Sequence, residues 1–505
     1  MSSITFWLRI SRIRRSIRSG GISKLEITIC DFKLLGLKNK FSHIGETCRT
    51  LKVREASGEM ELKEINVKSQ SIREMSRRAL LETLVAAGSL SLLAERPADA
   101  QVPGAAPRPF RVNIPQATIG RILNRVRETR WPDRLETTDW RYGSNWDYMK
   151  SLAEYWTTRF DWRKAEANLN RYPQFLARVG DYDIHFYHVK GRGPKPVPLI
   201  LTHGWPGSVF EFLEAIGPLT DPARFGGSPD DSFDVVVPSV PGFGFSSKPK
   251  GKPIGLTTTA TLWNQLMTEV LGYKKYGAQG GDVGNGVTNQ LAHQFPDSLL
   301  GIHFNGVGVP PPPEAEQTQQ EREWVRTVNA FVAVERDYYN EQQHKPETVA
   351  FALTDNPLGT AAWIAEKLKL WSDSPGAIEP VFTKDQVLTN IMIYLVTDTI
   401  GTSVWFYRGR VDEPSNLIGK VNVPTGFASF PRELPTLDPP QSVLERNFNL
   451  IQYTKMPRGG HFACWEQPEL LVGDLRNFFR KLRSWTPSGG APTRRISLPV
   501  PDTLV

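Results

Sequence analysis

The sequence predicts an α/β protein: a mostly parallel sheet flanked by helices, carrying a helical lid insertion and a helical, meandering N-terminal module. Three observations predict it. Short apolar runs of strand length alternate with helical stretches between Asp183 and Val307, the pattern of parallel strands joined by crossover helices. An aspartate stands between glycines where one such strand meets the next helix, in Gly280-Gly281-Asp282-Val283-Gly284. Four consecutive prolines, Pro310 to Pro313, then end the alternation, and from Glu314 to roughly Trp405 the pattern is helical without a convincing strand.

At 505 residues the chain suits one large domain with insertions, or two domains, and 40% apolar content with 14 tryptophans can fill a sizeable core. The net charge of +8 is concentrated at one end. Residues 1–100 hold 18 Lys and Arg against 11 Asp and Glu, and the rest of the chain holds 43 against 42. The near-neutral body gives no reason to expect a nucleic-acid groove. Of the three cysteines only Cys464 lies beyond residue 100, so the body is expected to form no internal disulfide, and Cys464 reads as a buried, inert thiol.

Residues 1–74 are basic and show no sustained periodicity, and they are read as a mis-assigned or disordered leader. Ser76-Arg77-Arg78-Ala79-Leu80-Leu81 opens a modest apolar stretch that ends in Ala98-Asp99-Ala100. That order of basic, apolar and small-x-small regions, over 75–100, resembles a twin-arginine export signal. It predicts export to a periplasmic or extracellular location, with translation starting at Met75. The apolar part is too short to span a membrane, so no integral membrane span is expected.

In the body, Pro115 to Arg130 and Trp146 to Asp161 read as helices, the second with Tyr148, Leu152, Tyr155, Trp156 and Phe160 on a core-facing stripe. Strands are predicted at 183–189, 197–202, 233–240, 275–279 and 299–307, with helices at 210–219, 257–271 and 285–295 between them. A helical lid occupies about 310–405. Strands resume at 421–430 and 450–455, a last helix runs over 468–482, and the Pro-, Gly- and Ser-rich stretch 486–505 reads as a disordered tail.

The chemistry centres on Asp282. Glycines flank a tight strand-to-helix turn because its central residue is strained and neighbouring side chains would clash. A carboxylate there is ionised at neutral pH and can attack saturated carbon without a base, forming an ester that uses the enzyme's own carbonyl. The bland alternative is an acidic helix N-cap. His203-Gly204-Trp205-Pro206 follows the buried strand at 197–202, which makes the backbone N–H groups of Trp205 and Val283 candidates for an oxyanion hole. His461, in Arg458-Gly459-Gly460-His461-Phe462, follows the last strand, completing the order nucleophile, acid, histidine used by α/β-hydrolases. Its partner should be a carboxylate after the preceding strand. Glu433 is the first choice and Asp438, in the same loop, the second.

With these residues in place, the chain resembles the microsomal-type epoxide hydrolases over about residues 108 to 483. The Gly-Gly-Asp elbow, His-Gly-Trp-Pro-Gly-Ser at 203–208, Pro-Gly-Phe-Gly-Phe-Ser at 241–246 and Gly-Gly-His-Phe-Ala at 459–463 carry the likeness. The resemblance implies an N-terminal epoxide hydrolase module over 108–219, overlapping an α/β-hydrolase core at 181–483. It also implies two lid tyrosines that hold and protonate the epoxide oxygen, matched here by Tyr338 after Glu335-Arg336-Asp337 and by Tyr407 after Trp405-Phe406. Glu433 takes the acid position. Where that family commonly has tryptophan after the nucleophile, this chain has Val283, which keeps the backbone N–H and changes the pocket wall.

The expected activity is therefore cofactor- and metal-free hydrolysis of small apolar epoxides by water to vicinal diols, with self-association left open. Two rivals use the same scaffold: a dehalogenase with the same Asp ester, and a ligand-binding protein without turnover. Halide release against diol formation separates the first, and binding without turnover identifies the second.

Overall fold

The computed structural model describes residues 7–18, 21–37, 40–56, 59–65, 106–136, 139–414 and 417–483, the first four segments as backbone only. The chain divides into two compact units, 1–100 and 101–505.

In the first unit β1 (Trp7–Arg18), β2 (Gly21–Leu37), β3 (Lys40–Ala56) and β4 (Glu59–Ile65) form an antiparallel sheet in sequence order. The sequence reads 1–74 as a mis-assigned or disordered leader; the strands described within 7–65 bear only on the disordered alternative. Local runs such as Leu25-Glu26-Ile27-Thr28-Ile29 are rich in β-branched residues, which favour a pleated backbone even where no long amphipathic period is present. The signal stretch at 75–100 and the tail at 486–505 lie outside the described residues.

The second unit is built on nine strands: β5 (Arg108–Phe110), β6 (Gln174–Val179), β7 (Tyr182–Val189), β8 (Val197–Thr202), β9 (Phe233–Pro238), β10 (Tyr276–Gly280), β11 (Leu299–Phe304), β12 (Val421–Ser429) and β13 (Phe448–Lys455). Their order across the sheet is β13-β12-β11-β10-β8-β9-β7-β6-β5. The six strands from β13 to β9 are mutually parallel, and β7, β6 and β5 add on antiparallel. All six residues of β9, and Leu199, Ile200 and Leu201 of β8, are buried. Strands covered on both faces have no polar side to show, which is why these two read as continuous apolar runs.

The antiparallel end departs from the sequence reading, which places helices at 115–130 and 146–161 and no strand before 183. β5 and β6 escape it because β5 is three residues long and β6 (Gln-Phe-Leu-Ala-Arg-Val) lacks clean alternation. Tertiary pairing of β6 with β7 supplies what local pattern does not. Elsewhere the differences are small. The helix expected at 210–219 is a 3-10 turn, Val209–Phe212, leading into Leu213–Thr220, and the helix at 257–271 is Leu256–Gln265 continued by a π turn, Leu266–Val270.

Between β11 and β12 lie the helices Gln319–Glu335, Asp337–His344, Pro346–Leu353, Pro357–Trp371, Lys384–Val396 and Ile400–Asp412. They are fastened to the loop after β8: Asn390 Nδ2 donates to the Pro206 carbonyl at 2.8 Å, and Ser208 Oγ donates to Asn390 Oδ1 at 2.8 Å. The N-terminal helices Gln116–Arg127 and Trp146–Thr158 brace this layer from outside. Tyr155 donates its hydroxyl proton to Asp385 Oδ1 at 2.9 Å, and Ser144 Oγ donates to the Ala362 carbonyl at 2.6 Å. Among the described residues no single helix is long and apolar enough to cross a membrane.

Candidate active site

Parallel strands place their carboxyl ends at one edge, so every loop leaving them opens on the same side. Thr202, Gly280 and Phe304, the last residues of β8, β10 and β11, are partners across the sheet. The loops after β8, β10, β12 and β13 carry Trp205, Asp282, Glu433 and His461. A bridge between Arg432 and Gly460 ties the last two loops together directly before Glu433 and His461.

Asp282 is the junction of β10 and helix Val283–Gln294, with φ 47° and ψ −122°. This is left-handed territory that costs a side-chain-bearing residue about 1–3 kcal/mol and persists only where the surroundings enforce it. A Cβ on Gly284 would lie 2.0 Å from the Thr202 carbonyl oxygen, so glycine there lets the helix start pressed against β8. The turn holds the Asp282 carboxylate off the protein surface and towards the lid.

The carboxylate is held on two sides. Asp282 Oδ1 accepts from the Trp205 backbone N–H at 2.8 Å, and the Val283 N–H also bonds to the carboxylate. Oδ2 lies 3.5 Å from His461 Nε2. Burial opposes the charge, but the hydrogen bond and charge of His461 and the two backbone donors outweigh it and hold the pKa below the ordinary aspartate value. His461 Nδ1 is 2.6 Å from Glu433 Oε1, with both side chains buried. That bond leaves Nε2 to face Asp282. Burial opposes the imidazolium too, yet Glu433 and Asp282 together raise the His461 pKa well above 6.5. Between the two acid candidates, Glu433 is the one bonded to the ring. Asp438 makes its backbone bond to the Leu434 carbonyl, and its Oδ1 has no partner.

Facing Asp282 is a cavity of about 240 Å³ whose walls include Tyr338, Tyr339, Tyr407, Phe331, Leu256 and Leu437. A hydrogen bond joins the Tyr338 and Tyr407 hydroxyls. The Tyr338 ring stacks on the Trp205 indole at 5.7 Å, and Tyr407 meets it edge-on at 5.8 Å. Burial first, and the Asp282 charge among the further causes, push both phenols above their ordinary pKa, so both stay protonated and able to donate. Of the residues singled out from the sequence, Asp282, Tyr338 and Tyr407 line this cavity, Trp205, Val283 and His461 surround the Asp282 carboxylate, and Glu433 holds the His461 ring.

Three neighbours were not singled out. Trp371 packs edge-on against His461 at 5.2 Å, and its carbonyl accepts from the His461 backbone N–H at 2.9 Å, joining the helix Pro357–Trp371 to the histidine loop. Arg410, at the end of the helix that carries Tyr407, lies 5.6 Å above the Tyr339 ring. Glu211, behind Asp282, is the third. Its only sequence signal is an acidic residue among apolar ones in Val209-Phe210-Glu211-Phe212. Among the described residues no group of three or more His, Cys, Asp or Glu is placed to hold a metal ion.

Residues 107–212 match the family described as epoxide hydrolase N terminus, and residues 197–346 match the alpha/beta hydrolase fold. A protein of Stigmatella aurantiaca is 42% identical over 380 residues, covering 74% of this chain and 85% of that protein. Epoxide hydrolase 1 of Oryctolagus cuniculus is 36% identical over 404 residues, covering 74% and 88%. The solved structure of Aspergillus niger epoxide hydrolase superposes with a TM-score of 0.68 at 30% identity, covering 75% of this chain and 97% of that one.

Proposed function

The chain belongs to the epoxide hydrolase family, and from that premise we propose that it converts epoxides to vicinal diols through an ester on Asp282. The observation that carries this reading is the Asp282 carboxylate itself. Oδ1 sits against the Trp205 N–H, His461 Nε2 is 3.5 Å from Oδ2, and two tyrosine hydroxyls line the cavity in front.

In the first step Asp282 Oδ2 attacks an epoxide carbon as the carbon–oxygen bond breaks. Tyr338 or Tyr407 gives its proton to the departing oxygen, leaving a hydroxyl group on the esterified substrate. The charge of Asp282 is consumed in this step. His461 then loses one of the two carboxylates that hold it protonated, so its pKa falls and the proton it releases restores the tyrosine. Neutral Nε2 next takes a proton from water, and the hydroxide adds to the Asp282 carboxyl carbon. The oxyanion forms where the Trp205 and Val283 N–H groups already point. Collapse expels the diol's second oxygen, which takes its proton from His461, and the Asp282 carboxylic acid left behind passes its remaining proton to Nε2, restoring the carboxylate and the imidazolium. Glu433 fixes the ring orientation and stabilises the imidazolium throughout.

The dehalogenase reading needs N–H donors aimed at a leaving halide. Val283 has no side-chain donor, and the Trp205 indole N–H is turned to Ser403 Oγ at 3.3 Å. Two phenols suit an oxygen leaving group better. A binding protein has no use for a strained carboxylate beside a buried His–Glu pair.

A single turnover in heavy-oxygen water tests the route. Label should enter the Asp282 carboxylate, and the first diol should carry an oxygen from Asp282. Label in the diol and none in the protein would mean direct attack by water and would end the ester reading.

A further inference from the structure

Behind Asp282, on the side away from the substrate cavity, lies a small chamber of about 20 Å³. Asp282, His461, Glu211, Gly204, Asn305 and Phe462 are among its walls. A space of about 10–15 Å³ already admits one water, so this chamber has room for one and for little more. Its walls include both Asp282, whose ester carbon hydrolysis must attack, and His461, whose imidazole must activate the attacker.

Among the wall groups, Glu211 is a carboxyl that the ester route does not otherwise use. Its Oε1 is enclosed and has no hydrogen-bond partner, and none of the ion pairs among the described residues includes it. The carboxyl reaches this place only because residue 207 is glycine: a Cβ there would lie 1.4 Å from Glu211 Oε1. An enclosed oxygen without a partner is costly, and a bound water removes the cost.

We infer that Glu211 positions the hydrolytic water, its carboxyl oxygen accepting one of that water's hydrogens while His461 Nε2 takes the other. The water is then fixed at both protons, with its lone pair directed at the Asp282 carboxyl carbon. Glu211 exchanges no proton in the step. The proton balance is that of the ester route, on which this assignment rests.

The electrostatics suit the role. Burial raises the Glu211 pKa to about 8, and Asp282 adds to the rise, while His461 and the Ser208 and Gly204 N–H groups oppose it. Burial keeps Tyr394 and Cys464 protonated, and ionisation of Glu211 would raise both further. Once Asp282 is esterified and His461 neutral, one raising and one lowering influence vanish together, and burial still dominates. A neutral carboxyl therefore faces the water at pH 7. An ionised one would bind it more strongly while adding negative charge beside the forming oxyanion.

The two steps can be timed separately by rapid mixing, reading tryptophan fluorescence for ester formation and decay, with intact mass as the check. Glu211→Ala should leave alkylation within about twofold and slow ester decay about tenfold, the loss of one hydrogen bond to the reacting water. Glu211→Gln, which keeps a neutral acceptor, should restore most of the decay rate. The pH profile supplies the reading a merely structural role would not move. Wild-type decay should fall at alkaline pH as Glu211 ionises, no lower than about 8, because the His461 charge lost in the ester state lowered its pKa more than the Asp282 charge raised it. Glu211→Gln should lose that alkaline limb and keep the acidic limb of His461. Equal slowing of both steps in the alanine variant, or an alkaline limb that survives in the glutamine variant, overturns the assignment. If no adduct on Asp282 forms even in His461→Gln, the ester route itself is wrong and this role falls with it.

Discussion

Replacing His461 by glutamine should separate the two chemical steps, and the structure says by how much. Glutamine is the right choice because Glu433 is buried and bonded to Nδ1 at 2.6 Å. Removing its partner outright would leave an uncompensated buried charge costing about 3–5 kcal/mol, whereas an amide still offers an N–H. The nucleophile keeps its backbone donors from Trp205 and Val283 but loses the bond and charge of His461, two of the influences that offset burial. Its pKa therefore rises. A carboxylate acts above its pKa, so alkylation by the variant should be slowed most at acid pH and should recover as pH increases. The second step loses its general base, worth about 10²- to 10⁴-fold. The ester should accumulate, and intact-mass measurement after mixing with styrene oxide should find protein plus one intact epoxide, mapping to the peptide that contains Asp282. Asp282→Ala should give no such mass. Turnover by His461→Gln within tenfold of wild type, with no adduct at any pH, would refute the assignment of base and nucleophile together.

Three further outcomes are expected. Tyr338→Phe and Tyr407→Phe should each slow alkylation, and the double variant should be slower than either, since a single lost oxyanion donor costs about 2.7–4 kcal/mol; wild-type alkylation by the double variant in rapid mixing would remove their role. Gly204→Ala should lower kcat while the far-ultraviolet circular dichroism stays native, because its Cβ would stand 2.5 Å from Asp282 Cβ and 2.6 Å from Oδ1 and push the nucleophile off its donors; unchanged kcat would show that the carboxylate is free to shift. Changing Arg77 and Arg78 to Lys in a bacterial host with a twin-arginine pathway should keep the precursor in the cytoplasm, while the unmodified chain yields a mature N-terminus at Gln101; export unaffected by the change would refute the signal reading.

The candidate reactive residues were legible because each sits in a local pattern with its own physical cause. Glycines must flank Asp282 for the chain to turn there. A buried parallel strand such as β8 reads as an apolar run, which located the loop carrying Trp205, and chain order pointed to His461. The choice between Glu433 and Asp438 was not local, because both lie in one loop and only the approach of the β12 and β13 loops, tied at Arg432 and Gly460, decides which carboxylate meets Nδ1. The tyrosines rested on likeness alone, since side-chain direction in a lid helix depends on how that helix docks. Strands β5 and β6 escaped notice because they are short or weakly patterned and exist by pairing with neighbours distant from local pattern. Glu211 is the sharpest case. In sequence it is one acid in an apolar run, and what distinguishes it is an enclosed, unpartnered oxygen beside a water-sized chamber. Sequence determines which groups are available and where the backbone must bend; burial and mutual distance, which set their protonation and their partners, belong to the packed structure, because desolvation and hydrogen bonding act only between groups that folding has brought together.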